Sequence, residues 1–133
     1  MSFDSYKPQY DRDGFVIVRQ FLPPDEFAEL RRQLDRYISD VVPNLPDSHA
    51  FYIDRARPET LKQMQHMQVD PFFREYSRHP AWNALASALV GEAVNAMPSE
   101  WFNKPPHSNS PTPPHQDNYY FNLNLRRTSS PSG

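Results

Sequence analysis

The segment PPHQDNYYF, residues 113–121, places a histidine two positions before an aspartate, at His115 and Asp117. On a β-strand, residues i and i+2 point to the same face, so an imidazole nitrogen and a carboxylate oxygen can meet at one metal ion. Facial-triad iron(II) sites combine such a pair with a second histidine and leave three positions for co-substrate and oxygen. Because the spacing also arises often by chance, exposed loop residues are the favoured interpretation of this pair taken alone.

The composition of the chain limits the other chemistry that it can carry. The sequence contains no cysteine, which excludes disulfides, thiolate metal sites and cysteine nucleophiles and leaves histidine and carboxylate as the strong metal ligands. Its 14 basic and 16 acidic residues give a formal charge of −2, which offers no polybasic surface for nucleic acid or anionic lipid. A chain of 133 residues suits one domain or part of one.

Targeting and membrane signals are not visible in the sequence. Residues 1–12 are polar where a signal peptide would be apolar. No stretch approaches the roughly 18 apolar residues that a membrane span requires. We therefore expect a cytoplasmic protein with no nucleic-acid and no membrane partner.

Apolar periodicity predicts the first two elements of the chain. Gly14–Leu22, GFVIVRQFL, is a β-branched and aromatic run with apolar residues on both faces, which is typical of a covered strand. A helix over about residues 24–40 follows, because Pro24 suits the first helical position and the two carboxylates after it suit the positive end of the helix dipole. Apolar residues recur along this helix at helical spacing, so one face should pack on a sheet.

The remaining sequence alternates short strands and helices between proline-rich connections. Pro80 suits the start of a helix and Gly91 its C-cap, which predicts a helix over residues 80–90. The other predicted elements are a short strand at 51–53, a helical turn at 71–76 and strands at about 94–104 and 118–125. Residues 61–69 fit a strand or a helix, and the strand is favoured. Helices followed by strands that have only begun to accumulate predict an α+β protein whose main sheet lies further along the chain.

Three stretches in this order resemble the N-terminal half of the phytanoyl-CoA dioxygenase family. They are DGFV at residues 13–16, FLPPDEF at residues 21–27 and FNKPPHSNSPTPPHQDNYYF at residues 102–121. The likeness covers the chain up to about residue 124. The NKPP element, the polar loop and the PHQD element are together far more specific than the histidine and aspartate alone.

The resemblance implies a double-stranded β-helix of jelly-roll, cupin-like type behind an N-terminal helical layer, of which only the first strands belong to this chain. It implies an Fe(II)- and 2-oxoglutarate-dependent dioxygenase that uses O2 to hydroxylate a small-molecule substrate, with His115 and Asp117 as the first two metal ligands. Lys62 falls where similar proteins place a lysine near 2-oxoglutarate, and Glu100 and Lys104 should belong to a strand that lines the pocket.

Two further parts of the family site would lie beyond these residues. The second histidine, and an arginine beyond it that grips 2-oxoglutarate, belong to later strands. No histidine follows Asp117 in the sequence, so neither part of the site is present. Residues 1–124 are therefore interpreted as the N-terminal part of a single dioxygenase-like domain. Residues 125–133, LRRTSSPSG, are interpreted as an aberrant or disordered tail, from a frameshift, a mis-called gene end or a genuine terminus. An open strand edge would allow self-association.

Two other functions remain open for the chain as given. One is a non-catalytic fragment or interaction module without bound metal, because two ligands hold a divalent ion poorly and the chain would be inactive. The other is a hydrolytic zinc site built from the same pair and another histidine. Surface roles are expected for the histidines that precede the motif, because the family's second histidine follows it; they are His49, His66, His79 and His107.

Overall fold

The computed structural model describes residues 2–95, 97–108 and 111–117. The helices in these residues are α1 (Lys7–Asp13), α2 (Pro24–Arg36), α3 (Pro71–Tyr76) and α4 (Pro80–Val90), and the strands are β1 (Ala50–Tyr52), β2 (Leu61–Met64) and β3 (Trp101–Phe102). Turns of 3-10 helix cover Asp4–Tyr6, Val42–Asn44, Pro58–Thr60 and Met67–Val69, and a π-helical turn at Tyr37–Val41 continues α2. The predicted α+β class is confirmed. None of the described helices has the length and apolar composition that a bilayer crossing requires.

The ends of the helices follow local sequence signals. A proline stands in the first turn of α2, α3 and α4, where its missing N–H removes no helical hydrogen bond. Asp70 caps α3, because its Oδ1 accepts hydrogen bonds from the backbone N–H groups of Phe72 and Phe73. Gly91 ends α4 in the left-handed conformation, with φ of 89°. The helices predicted over 24–40, 71–76 and 80–90 are confirmed.

The N-terminal region differs from the prediction. Helix α1 was not predicted, because its sequence KPQYDRD carries little apolar periodicity. The predicted strand over Gly14–Leu22 is wrong, since this segment has bends and turns but no strand, and Phe15 and Ile17 are 59% and 63% exposed. A β-branched run forms a strand only where a neighbouring strand accepts its backbone hydrogen bonds. The sheet in the described residues consists of β1, β2 and β3 and offers this segment no such neighbour.

The sheet is antiparallel, with the strand order β1-β2-β3. Ala50 pairs with Met64 across the first two strands, and Gln63 pairs with Phe102 across the last two. The strand predicted at 51–53 is confirmed as β1 within one residue, whereas the strand predicted over 61–69 ends at Met64 and gives way to a 3-10 turn. The strand predicted around 94–104 is reduced to the two residues of β3. The strand predicted at 118–125 lies outside the described residues.

A single cluster of buried side chains joins α2 and α3 to the sheet. Its fully buried centre includes Tyr37 and Met64, and the ring of Tyr37 meets that of Phe73 edge-on at 5.2 Å between centroids. Leu30 and Leu34 extend the cluster along the apolar face of α2. The core therefore holds β2 in place, and β2 is the strand that carries Lys62.

Candidate functional site

His115 and Asp117 meet in the structure. The Nε2 atom of His115 lies 3.3 Å from Oδ1 of Asp117. On the other side of the ring, Nδ1 lies 2.8 Å from the carbonyl oxygen of Pro113. A carbonyl oxygen only accepts hydrogen bonds, so this contact assigns the proton to Nδ1. In the neutral ring, Nε2 then carries the lone pair and faces the carboxylate.

Irregular backbone, and not a strand, leads to this pair. Residues 111–116 have no regular secondary structure, so the alternation of a strand does not operate here. The segment contains Pro111, Pro113 and Pro114, whose fixed φ angles restrict the path of the backbone. The convergence predicted from the spacing of the two residues is present, although its predicted cause is not.

The geometry of the pair suits a shared metal ion. Two ligands that are each about 2.1 Å from a divalent metal and at right angles to one another lie about 3.0 Å apart. The observed separation of 3.3 Å is close to this value. The side chains of His115 and Asp117 are 42% and 77% exposed, so an ion can reach both from solvent. Within residues 2–95, 97–108 and 111–117, no group of three or more His, Asp or Glu side chains is placed to hold a metal.

A small cavity of about 70 Å³ lies between the sheet and the segment that leads to His115. Lys62 and Lys104 line it, and these are two of the three lysines in the sequence. Pro111 and Thr112 form another part of its wall, and Thr112 is three residues before His115. Two lysines, one on β2 and one that follows β3, therefore line a cavity together with the chain segment that leads to the histidine and aspartate.

Asn103 holds the two lysines in this arrangement. Its backbone N–H donates to the carbonyl oxygen of Lys62 at 2.7 Å, and its side-chain Nδ2 donates to the carbonyl oxygen of Leu61 at 3.2 Å. These bonds extend the β2–β3 ladder by one residue and fix the backbone next to Lys104. Glu100 lies exposed at the other end of β3 and is not among the residues that line the cavity.

The other histidines occupy defined positions that the sequence did not reveal. His79 caps α4 through Nδ1, which accepts from the N–H of Ala81, while its Nε2 lies 3.2 Å from Oε2 of Glu26. His49 and His66 bring their rings to 4.6 Å between centroids. The register of the β1–β2 hairpin brings the rings of His49 and His66 together. Correct pairing of the two predicted strands would have predicted this contact.

Comparison with known proteins supports one family. The family model described as phytanoyl-CoA dioxygenase (PhyH) matches residues 10–132. No curated protein and no solved structure matches the chain. The chain therefore belongs to the phytanoyl-CoA dioxygenase family, whose members are dioxygenase-type oxidoreductases that generally depend on Fe(II) and 2-oxoglutarate.

Proposed function

We propose that this chain supplies two metal ligands, His115 and Asp117, to an Fe(II)- and 2-oxoglutarate-dependent dioxygenase site that hydroxylates a small molecule. The observation that carries the proposal is the 3.3 Å approach of Nε2 to Oδ1, with the other ring nitrogen bound to a backbone carbonyl. One imidazole and one carboxylate form the donor set of a facial-triad site. When bound, the iron and 2-oxoglutarate supply O2 activation coupled to decarboxylation of the keto acid to succinate.

The residues around the pair prepare it for a cation. The carbonyl oxygen of Pro113 accepts from Nδ1 of His115, which leaves Nε2 as the ligand atom and fixes the orientation of the ring. Asp117 adds the negative charge that a divalent ion requires. Both side chains are accessible, so little desolvation opposes binding.

The cavity lined by Lys62 and Lys104 offers positive charge for the carboxylate groups of 2-oxoglutarate. Lys62 is half buried and Lys104 is exposed, and each offers a compact positive charge with three hydrogen-bond donors. Asn103 fixes their separation through the β2–β3 ladder. We therefore assign both lysines to binding the co-substrate, while the role expected for Glu100 stays a prediction.

The larger architecture follows from the family. We propose that the three-stranded sheet is the beginning of a double-stranded β-helix, and that a second histidine and an arginine from later strands complete the site. The family match and the antiparallel pairing of all three strands support this. A cytoplasmic location and self-association through strand edges stay predictions.

A second candidate function is a non-catalytic fragment or interaction module without bound metal. The absence of a third suitable ligand near the pair, within the part of the chain that the structure describes, favours it. In that case the contact between His115 and Asp117 is an ordinary ion pair, which contributes about 0 to 1 kcal/mol at an exposed site.

One experiment separates these functions. The purified chain is titrated with Mn²⁺, a redox-stable probe for iron sites, with and without 2-oxoglutarate, and is then incubated with Fe(II), 2-oxoglutarate and O2 while succinate is measured by NMR. Dioxygenase function predicts that 2-oxoglutarate tightens Mn²⁺ binding, whereas succinate formation also requires the second histidine and the arginine of the later strands. Asp117→Ala and His115→Ala should each weaken Mn²⁺ binding by at least about 10-fold.

His107→Ala is the matched control, because His107 is an exposed histidine in the same region and is not part of the pair. Metal binding that depends on Asp117 but is insensitive to 2-oxoglutarate would support a hydrolytic zinc site. A lack of Mn²⁺ binding by the parent chain, with and without 2-oxoglutarate, would support the non-catalytic alternative without bound metal. Equal Mn²⁺ affinity in Asp117→Ala and His107→Ala would remove the proposed metal site.

A further inference from the structure

A second pair of histidines meets at the open end of the β1–β2 hairpin, away from its connecting turn. His49 directly precedes β1, and His66 follows β2 by two residues. The carbonyl oxygen of His49 accepts a hydrogen bond of 2.9 Å from the N–H of Gln65, which carries the antiparallel ladder one step beyond the strands. The two imidazole rings lie 4.6 Å apart between centroids, with 45° between their planes.

The Nδ1 atom of His49 lacks a hydrogen-bond partner among the described residues. It is also buried. A buried polar atom without a partner is unfavourable, and a bound cation would satisfy it. The imidazole next to it, that of His66, is exposed to solvent.

The backbone at His66 has an unusual conformation. Its φ of 56° lies in the left-handed region, which is unfavourable for a residue with a Cβ. The residue makes no side-chain capping bond to the 3-10 turn that it begins. The conformation instead carries the ring to the side of the hairpin where His49 lies.

We propose that His49 and His66 form a two-imidazole site for a borderline transition-metal ion such as Zn²⁺, Ni²⁺ or Cu²⁺. Imidazole nitrogen suits these ions, and the absence of a carboxylate ligand makes the site poor for Mg²⁺ and Ca²⁺. Two imidazoles bound to neighbouring positions of one ion, each at about 2.1 Å, place their ring centroids about 5 Å apart. The observed separation of 4.6 Å between the ring centroids is close to this value.

A bound ion would act as a clamp on the hairpin. The two residues are 17 positions apart, and the strands between them place Ala50 and Met64 in the buried core. An ion that binds only when the hairpin is paired stabilises the folded chain by mass action. Because only two protein ligands are proposed, the site binds an ion weakly, and water fills the remaining coordination positions.

The test uses the full chain with His115→Ala and Asp117→Ala, which removes the other metal pair. Zn²⁺ binding is measured by titration calorimetry, and the melting temperature is measured with and without Zn²⁺. We expect one Zn²⁺ per chain, a higher melting temperature with Zn²⁺, tighter binding of Cu²⁺ than of Zn²⁺ and no detectable binding of Mg²⁺ at the same concentration.

The decisive variant adds His66→Asn to this background. Asparagine tolerates the left-handed conformation, so the hairpin should fold while one imidazole is lost. His107→Asn is the matched control, because His107 also has a positive φ, of 62°. We expect His66→Asn to weaken Zn²⁺ binding by at least about 10-fold and His107→Asn to leave it unchanged.

His49→Phe provides a second ligand deletion that keeps an aromatic ring in place. The control for folding is a cooperative thermal unfolding transition of each variant without metal. Zn²⁺ affinity that is the same in His66→Asn and His107→Asn, or no Zn²⁺ binding by the background chain, overturns the proposal. Because the background lacks His115 and Asp117, neither result depends on the dioxygenase site.

Discussion

Arg36 donates from Nη2 to Oδ2 of Asp70 at 2.8 Å, so the last residue of α2 holds the residue that caps α3. Asp70 is only 7% exposed, and its other oxygen accepts from the first turn of α3. One carboxylate therefore joins two helices on either side of the core. This makes Asp70 the polar residue whose loss should affect the fold most.

Replacement of Asp70 should separate its two roles. Asp70→Asn keeps the cap but loses the charge pair, and should lower the free energy of unfolding by about 1 kcal/mol. Asp70→Ala loses both and should lower it by about 2 to 3 kcal/mol. The measurement is urea unfolding at neutral pH. Asp11→Asn is the control, since the Lys7–Asp11 pair is exposed and should change stability by less than about 0.5 kcal/mol.

Truncation of Met64 should be among the most damaging changes in the core. This side chain is fully buried between the sheet and the helices, so Met64→Ala removes apolar burial and leaves a cavity. We expect a loss of about 2 to 5 kcal/mol in the free energy of unfolding. Met97 is 69% exposed, and Met97→Ala should cost less than about 0.5 kcal/mol. Similar losses for both variants would show that the core is not where the structure has it.

The stability of the chain should fall at alkaline pH because of Tyr37. Burial, together with the negative charge of Asp70, raises the pKa of the Tyr37 phenol above its ordinary value. Above about pH 10 the unfolded chain releases this proton while the folded chain retains it, so rising pH favours unfolding. The contribution is fully present below about pH 10 and is lost as the pH rises from there towards the folded-state pKa.

Tyr37→Phe tests this dependence through chemical unfolding at pH 8 and at pH 10.5. The substitution should reduce the alkaline loss of stability, although Tyr76, whose pKa burial also raises, retains part of it. At pH 8 the variant should lie within about 1 kcal/mol of the parent, because the phenol oxygen has no hydrogen-bond partner among the described residues. An unchanged alkaline slope would contradict the assignment.

Neutralising the cavity lysines should weaken 2-oxoglutarate binding. Lys62→Met and Lys104→Met each remove one charge-assisted hydrogen-bond donor, which corresponds to about a 10-fold loss of affinity. Calorimetry with 2-oxoglutarate and Mn²⁺ measures the effect. Lys7→Met is the charge-matched control, because Lys7 bonds to Asp11 and to the carbonyl oxygen of Leu89. Equal affinities across all three variants would exclude the cavity as the co-substrate site.

Local chemistry explains which elements could be predicted. A proline in the first turn, an aspartate cap at Asp70 and a glycine at Gly91 act within a few residues, so α2, α3 and α4 could be recognised from the sequence. Helix α1 lacks a strong apolar signal and was missed. The segment Gly14–Leu22 has the composition of a strand, but composition does not provide the neighbour that a strand requires.

Some features of the candidate site could likewise be predicted from the sequence, and others could not. The spacing of His115 and Asp117 predicted a metal pair, and the order of the NKPP and PHQD elements predicted the family, both from the sequence alone. The sequence thus determined the family and the boundaries of α2, α3 and α4, while the metal pair stays a prediction. Only the structure decided that the carbonyl oxygen of Pro113 lies against Nδ1 of His115 and orients the ring.

Contacts between distant positions were decided by strand pairing. Lys62 and Lys104 are 42 positions apart, and they share a cavity because β2 pairs with β3. His49 and His66 touch because β1 pairs with β2 in one register. A shift of one residue in a strand moves every side chain to the opposite face. The sequence therefore determines which groups are available, whereas the packing that selects the register decides which of them meet.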